Sequence, residues 1–200
     1  ACVLVCVTLR PTYSVMSSGI LLLLGSLWRL YYMLFTPYWI RGHDTDGHIQ
    51  YIRYIAEHHT LPVPNAGWEF WQPPLYYCVS ALWMNAAQAL GLQMNDILFG
   101  LQIGALILSI ASLWIIAWIG TQLLQNEHKD LLPWFIAIPA FLPSLVFLSA
   151  RINNDVLATF LMLLSFAVFL EWWKSGSRLA WISTALLTGL AVLTKNTALL

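Results

Sequence analysis

Between Asp96 and Leu124 no side chain after the opening aspartate carries a charge, and that run constrains the fold more than any other stretch. A bilayer core about 30 Å thick takes ~20 apolar residues to cross as a helix. Inside hydrocarbon each backbone N–H and C=O must be paired within its own segment, so a helix is the form such a run takes. Composition agrees: 60% of residues are hydrophobic and 9% charged, where soluble domains carry about 25% charge. The expectation is an all-α, polytopic integral membrane protein. The formal net charge is zero and there is no basic run, so nucleic acid is not an implied partner. Cys2, Cys6 and Cys78 lack zinc-type spacing and are too few for a disulfide framework, which leaves them as packing residues.

Five spans are predicted, at about 16–35, 96–124, 131–149, 156–172 and 179–200, with a first external loop over 36–95. Trp28, Tyr31, Tyr32, Tyr38 and Trp39 form an aromatic belt where the first span leaves the membrane. Within the loop, Ile49, Ile52 and Ile55 recur at helical spacing beside Gln50, Arg53 and Glu57, the pattern of an amphipathic helix lying on the membrane. Leu61-Pro62-Val63-Pro64 breaks it, and Pro73-Pro74 opens a second helix to about Leu90. Were that second helix to cross, the Lys174 to Arg178 loop would become external. Keeping it at the surface leaves Lys174 and Arg178 cytoplasmic, as the positive-inside rule prefers. Pro133, Pro139 and Pro143 are expected to kink the third span, which needs neighbours to satisfy the freed carbonyls. The chain opens on Ala1 and stops within an apolar run, so it reads as the N-terminal part of a longer protein.

Chemistry has few places to reside. The segment from Thr36 to Gln72 holds Asp44, Asp46, Glu57 and Glu69 of the nine acids, and four of the five histidines. Its centre, Arg41-Gly42-His43-Asp44-Thr45-Asp46-Gly47-His48, follows directly on the first span. Carboxylates two apart can share a divalent cation, or one can act as a general base while the other holds the geometry; a solvated loop is the plain alternative. Asp155, closing Arg151-Ile152-Asn153-Asn154-Asp155, opens the next apolar run and falls on the same face as Asp44. Helix capping also accounts for it. Lys195 interrupts the last span and calls for an anion, such as a lipid-linked phosphate, unless it snorkels to the interface. Arg29 lies inside the first span, facing a cavity or partner, or snorkelling in its turn. The histidines do not make a zinc site.

The order of these motifs resembles the GT-C membrane glycosyltransferases, nearest to the protein O-mannosyltransferase and aminoarabinose-transferase-like groups. It runs from an acidic knot after the first span through a surface helix, a Leu-Pro break and Pro-Pro-Leu-Tyr-Tyr at 73–77. Asn-Asp then follows the proline-rich span, and Leu-Thr-Lys stands near the fifth. The resemblance implies a GT-C-type helix bundle that moves a sugar from a polyprenyl-phosphate donor to a glycan, lipid or protein acceptor outside the cytoplasm. It makes Asp44 the first-loop catalytic acid, four residues before His48, and Asp155 the second acidic position. The family often has Glu immediately after the first Asp, whereas here Thr45 intervenes and Asp46 follows, which leaves open which acid is the base. Lys195 falls where relatives place a lysine near the carrier phosphate; Arg29, Arg41, His48 and Arg151 join it as binding candidates. A divalent cation on Asp44, Asp46 and Asp155 is left open, because some members need one and others do not. The competing class is a transporter or channel component whose intramembrane Arg29 and Lys195 line a path; against it, no inverted repeat is visible.

Overall fold

The computed structural model describes residues 2–40, 42–124 and 126–199. Among them regular structure is helical throughout, with no strand. Eight α-helices follow in order: α1 (Cys2–Leu34), α2 (Thr45–His58), α3 (Leu75–Ala89), α4 (Met94–Leu123), α5 (Leu132–Phe141), α6 (Pro143–Leu148), α7 (Asp155–Ser175) and α8 (Arg178–Thr194). Three are long and apolar enough to cross a membrane: Met16–Leu34 within α1, α4, and α7. Leu23, Leu27, Ile107, Trp114 and Phe166 on these helices are exposed, which is costly in water and suits hydrocarbon. Such helices are compatible with a membrane protein.

The expected span at 131–149 is two short helices, α5 and α6, meeting at Leu142–Pro143. Proline lacks the N–H that would bond the carbonyl four residues back, and it drives the residue before it out of helical geometry. Leu142 accordingly sits at φ −61°, ψ 118°. Pro139 O and Ala140 O are left without their helical donors, and Arg29 of α1 takes them. Its Nη2 donates to Pro139 O at 2.8 Å and its Nη1 to Ala140 O at 2.7 Å. Further bonds run from Nη1 to Gly25 O at 3.1 Å and from Nε to Ser109 Oγ at 3.0 Å. A cation at the end of a helix also meets the negative pole of its dipole. Gly25 makes this crossing close, since a Cβ there would stand 2.8 Å from that of Ala140. Leu22, Leu113, Ala117, Leu132, Ile136 and Ala140 pack around the same junction.

The last predicted span is α8, of 17 residues. It packs antiparallel on α7 after a turn at Gly176, whose φ is 66°. Ser165 and Thr188 hydroxyls meet across the pair at 2.8 Å. The helix stops at Thr194, and Lys195 is extended at φ −157°, ψ 130°.

α3 spans about 22 Å at 1.5 Å per residue, short of a bilayer core. It buries Tyr77, Ser80, Ala81, Met84 and Ala87, residues that recur at helical spacing. Val79, Leu82 and Leu90 remain exposed. With Ile49, Tyr51 and Ile52 of α2, this face closes a core over Ile97 and Leu98 of α4 and over Ile152. The segment expected as a loop carrying two amphipathic helices is thus a packed cap on one end of the bundle. Gln102, 1% exposed, ties that end together by donating to Thr36 O at 3.1 Å and Ala150 O at 2.6 Å.

Candidate functional site

Under the cap, α2 and α3 start near the start of α7 and the end of α8. Asp44 is the N-cap residue of α2, yet its side chain makes no capping hydrogen bond. Only its backbone carbonyl is used, by His48 N–H at 3.1 Å. The carboxylate is half-buried and, among the described residues, uncommitted. Asp46, in the first turn, is exposed. The two acids that sequence left equivalent occupy different surroundings.

His48 is buried, with Nδ1 at 2.8 Å from Tyr77 Oη. Tyr77 stacks in turn on Tyr51 with ring centroids 3.9 Å apart. Burial pushes the His48 imidazole down to about 4, more strongly than Asp44 and Asp155 raise it, while Arg151 and Lys195 lower it further. The ring is neutral at physiological pH. Asp44, Asp155, Arg151 and Lys195, from three separate stretches of chain, are all close enough for their charges to be felt at this imidazole. Tyr77 is pushed well above the ordinary phenol range, chiefly by burial and next by the Glu69 charge, so it keeps its proton and is able to donate.

Lys195 and Asp155 form an ion pair through Nζ and Oδ1, and Asp155 Oδ2 accepts from Asn153 Nδ2 at 3.2 Å. The anion that a lysine interrupting the last span was expected to need is here supplied by Asp155. The pair is only partly buried, with side chains 23% and 36% exposed, and so remains open to exchange. Arg151 lays its guanidinium 4.7 Å from the centre of the Phe147 ring, and its buried Nε has no hydrogen-bond partner.

A second polar chain holds the cap to the bundle. Asn154 Nδ2 donates to Thr194 O at 2.9 Å and to Gln72 Oε1 at 3.2 Å, and Gln72 Nε2 donates to Glu69 Oε2 at 3.1 Å. Glu69 is 6% exposed and lies against Gly47, where a Cβ would come within 2.8 Å of its Cγ. Glycine at 47 is what lets this acid approach α2.

Of the residues singled out from sequence, Asp44, His48, Arg151, Asp155 and Lys195 come together. Arg41 lies outside the described residues. Arg29, set out above as a candidate for the carrier phosphate, is engaged instead at the proline break between α5 and α6. Among the described residues no three His, Cys, Asp or Glu side chains stand close enough to hold one metal ion, so Asp44, Asp46 and Asp155 do not form a shared cation site. Cys78 is a free, half-buried thiol. Sequence reasoning missed Glu69, Gln72, Tyr77 and Asn154. A lone acid in the aromatic run Trp68-Glu69-Phe70-Trp71 was a signal for the first, since a carboxylate amid aromatic rings needs a buried partner. Comparisons with family models, curated proteins and solved structures gave no match.

Proposed function

We propose that this chain is the multi-pass, membrane-embedded catalytic module of a glycosyltransferase that uses a polyprenyl-phosphate sugar and works at the external face. The observation that carries this reading is the convergence on His48 of an uncommitted carboxylate, Asp44, and two cations, Arg151 and Lys195. A displacement at an anomeric carbon needs a base on the acceptor side and positive charge on the leaving side. Asp44 takes the proton of the acceptor hydroxyl as that oxygen attacks the anomeric carbon. The bond from that carbon to the phosphate oxygen breaks, and its electron pair leaves with the carrier. Lys195 exchanges Asp155 for the carrier phosphate, and Arg151, with a vacant Nε–H, is the second donor to it. Neutral His48, held by Tyr77, positions the acceptor. One such displacement inverts the sugar.

The test is transfer of radiolabelled sugar from a polyprenyl-phosphate donor by the purified full-length protein. Asp44→Asn keeps the shape and removes the base, so transfer should fall at least a thousandfold with expression and insertion unchanged. Near-normal turnover in that variant rejects the assignment.

A further inference from the structure

Arg29 is 2% exposed, and its four hydrogen bonds all go to neutral groups, one serine hydroxyl and three carbonyls. None of these partners is a carboxylate, so the guanidinium has no bonded anion to balance it among the described residues. The end of α5 offsets part of the charge through its dipole. The remainder sits within apolar helices, where an unbalanced charge is costly.

Against this guanidinium lies a cavity of about 30 Å³, lined by Arg29, Ser109, Ser112 and Thr159 among aliphatic side chains. The polar groups facing it are surplus donors. Guanidinium has five N–H groups, of which the bonds above use four. Ser109 Oγ accepts from Arg29 Nε and keeps its own proton to give. Thr159 carries a further hydroxyl, while Ser112 already donates to Leu108 O at 2.8 Å. Net positive charge, donors in excess of acceptors and room for two water-sized spheres at ~10–15 Å³ each describe an anion site. We propose that this cavity binds a small monovalent anion of chloride size, which completes the neutralisation of Arg29.

The experiment compares thermal unfolding of the detergent-purified protein in potassium chloride and potassium gluconate at equal ionic strength. Tm should rise with the logarithm of chloride concentration, as for a ligand that binds only the folded state, and bromide should substitute for chloride. Thr159→Val removes one donor and leaves the cap on α5 intact, so it should shift the chloride curve to higher concentration. Arg29→Gln should abolish the dependence. In bromide-soaked crystals an anomalous peak should lie between residues 29, 109 and 159. Equal Tm in chloride and gluconate, a chloride dependence unchanged in both variants, or bromide bound only elsewhere overturns the proposal. Sugar transfer does not enter any of these readouts, so the outcome stands apart from that of the transferase assay.

Discussion

Replacing Arg29 by Met tests whether the broken helix is held by this guanidinium. The substitution leaves Pro139 O and Ala140 O without donors, and a buried unsatisfied carbonyl costs ~1–3 kcal/mol. Relief of the guanidinium's own desolvation returns some of this, so a net loss of about 2–4 kcal/mol is expected. The stronger form of the test is a double-mutant cycle with Pro143→Ala. Alanine supplies the N–H that proline lacks, within reach of Pro139 O once α5 and α6 join, so Arg29→Met should cost less in that background. The expected coupling is about 1–3 kcal/mol, one carbonyl's worth. Equilibrium unfolding of the four proteins in one detergent, at fixed chloride, measures it. Additivity within ~0.5 kcal/mol, the level found for independent sites, would refute the idea that arginine and proline are linked through that carbonyl.

Four further outcomes are expected. Asp46→Asn should retain most transfer activity, because Asp46 is exposed where Asp44 is half-buried beside His48; equal loss in both variants would show that the two acids act as a unit. Lys195→Met should weaken binding of the carrier at least tenfold while changing stability by under ~1 kcal/mol, since a partly exposed ion pair contributes little; calorimetry and thermal melts separate the two effects. His48 has a folded value depressed below that of free imidazole, so its contribution to stability is complete above pH ~6.5 and is lost as pH falls toward 4. The loss reaches ~3 kcal/mol, and His48→Gln should flatten that limb of the pH–stability curve. Single cysteines at exposed 82 on α3 and 90 just beyond its end should be labelled from the same side of the membrane as one at 46; opposite sides would show that α3 crosses.

What could be read from sequence followed length and period. α4, α7 and the aromatic-ended α1 were visible because apolar runs of spanning length have few other uses, and the α2 and α3 helices because apolar residues recur at helical spacing and prolines bound them. The break at Leu142–Pro143 was expected as a kink, since proline acts through its neighbours in the chain. That Arg29 would be the group to repair it was not legible, because the bond spans 111 residues between Arg29 and Ala140 and no local pattern records it. The same holds for Lys195: its need for an anion follows from its apolar setting, but the choice of Asp155 depends on α7 and α8 folding back on each other. Asp44 and Asp46 differ only by rotation about the first turn of α2. Gln72 and Asn154 gave no signal, since an amide reveals its partners only once the cap is packed.

The ion pair between Asp155 and Lys195 bears on how the chain is made. Asp155 is synthesised 40 residues ahead of its partner, at the head of α7, which is long enough to enter the bilayer alone. α8 is shorter and is followed at once by a charge. It gains a neutralising partner only by folding back on a helix already in place. The turn at Gly176 folds α7 and α8 into a hairpin whose open end the salt bridge closes. Until Lys195 has emerged from the ribosome, the acidic end of α7 remains without its partner, so this hairpin closes only after α8 is complete.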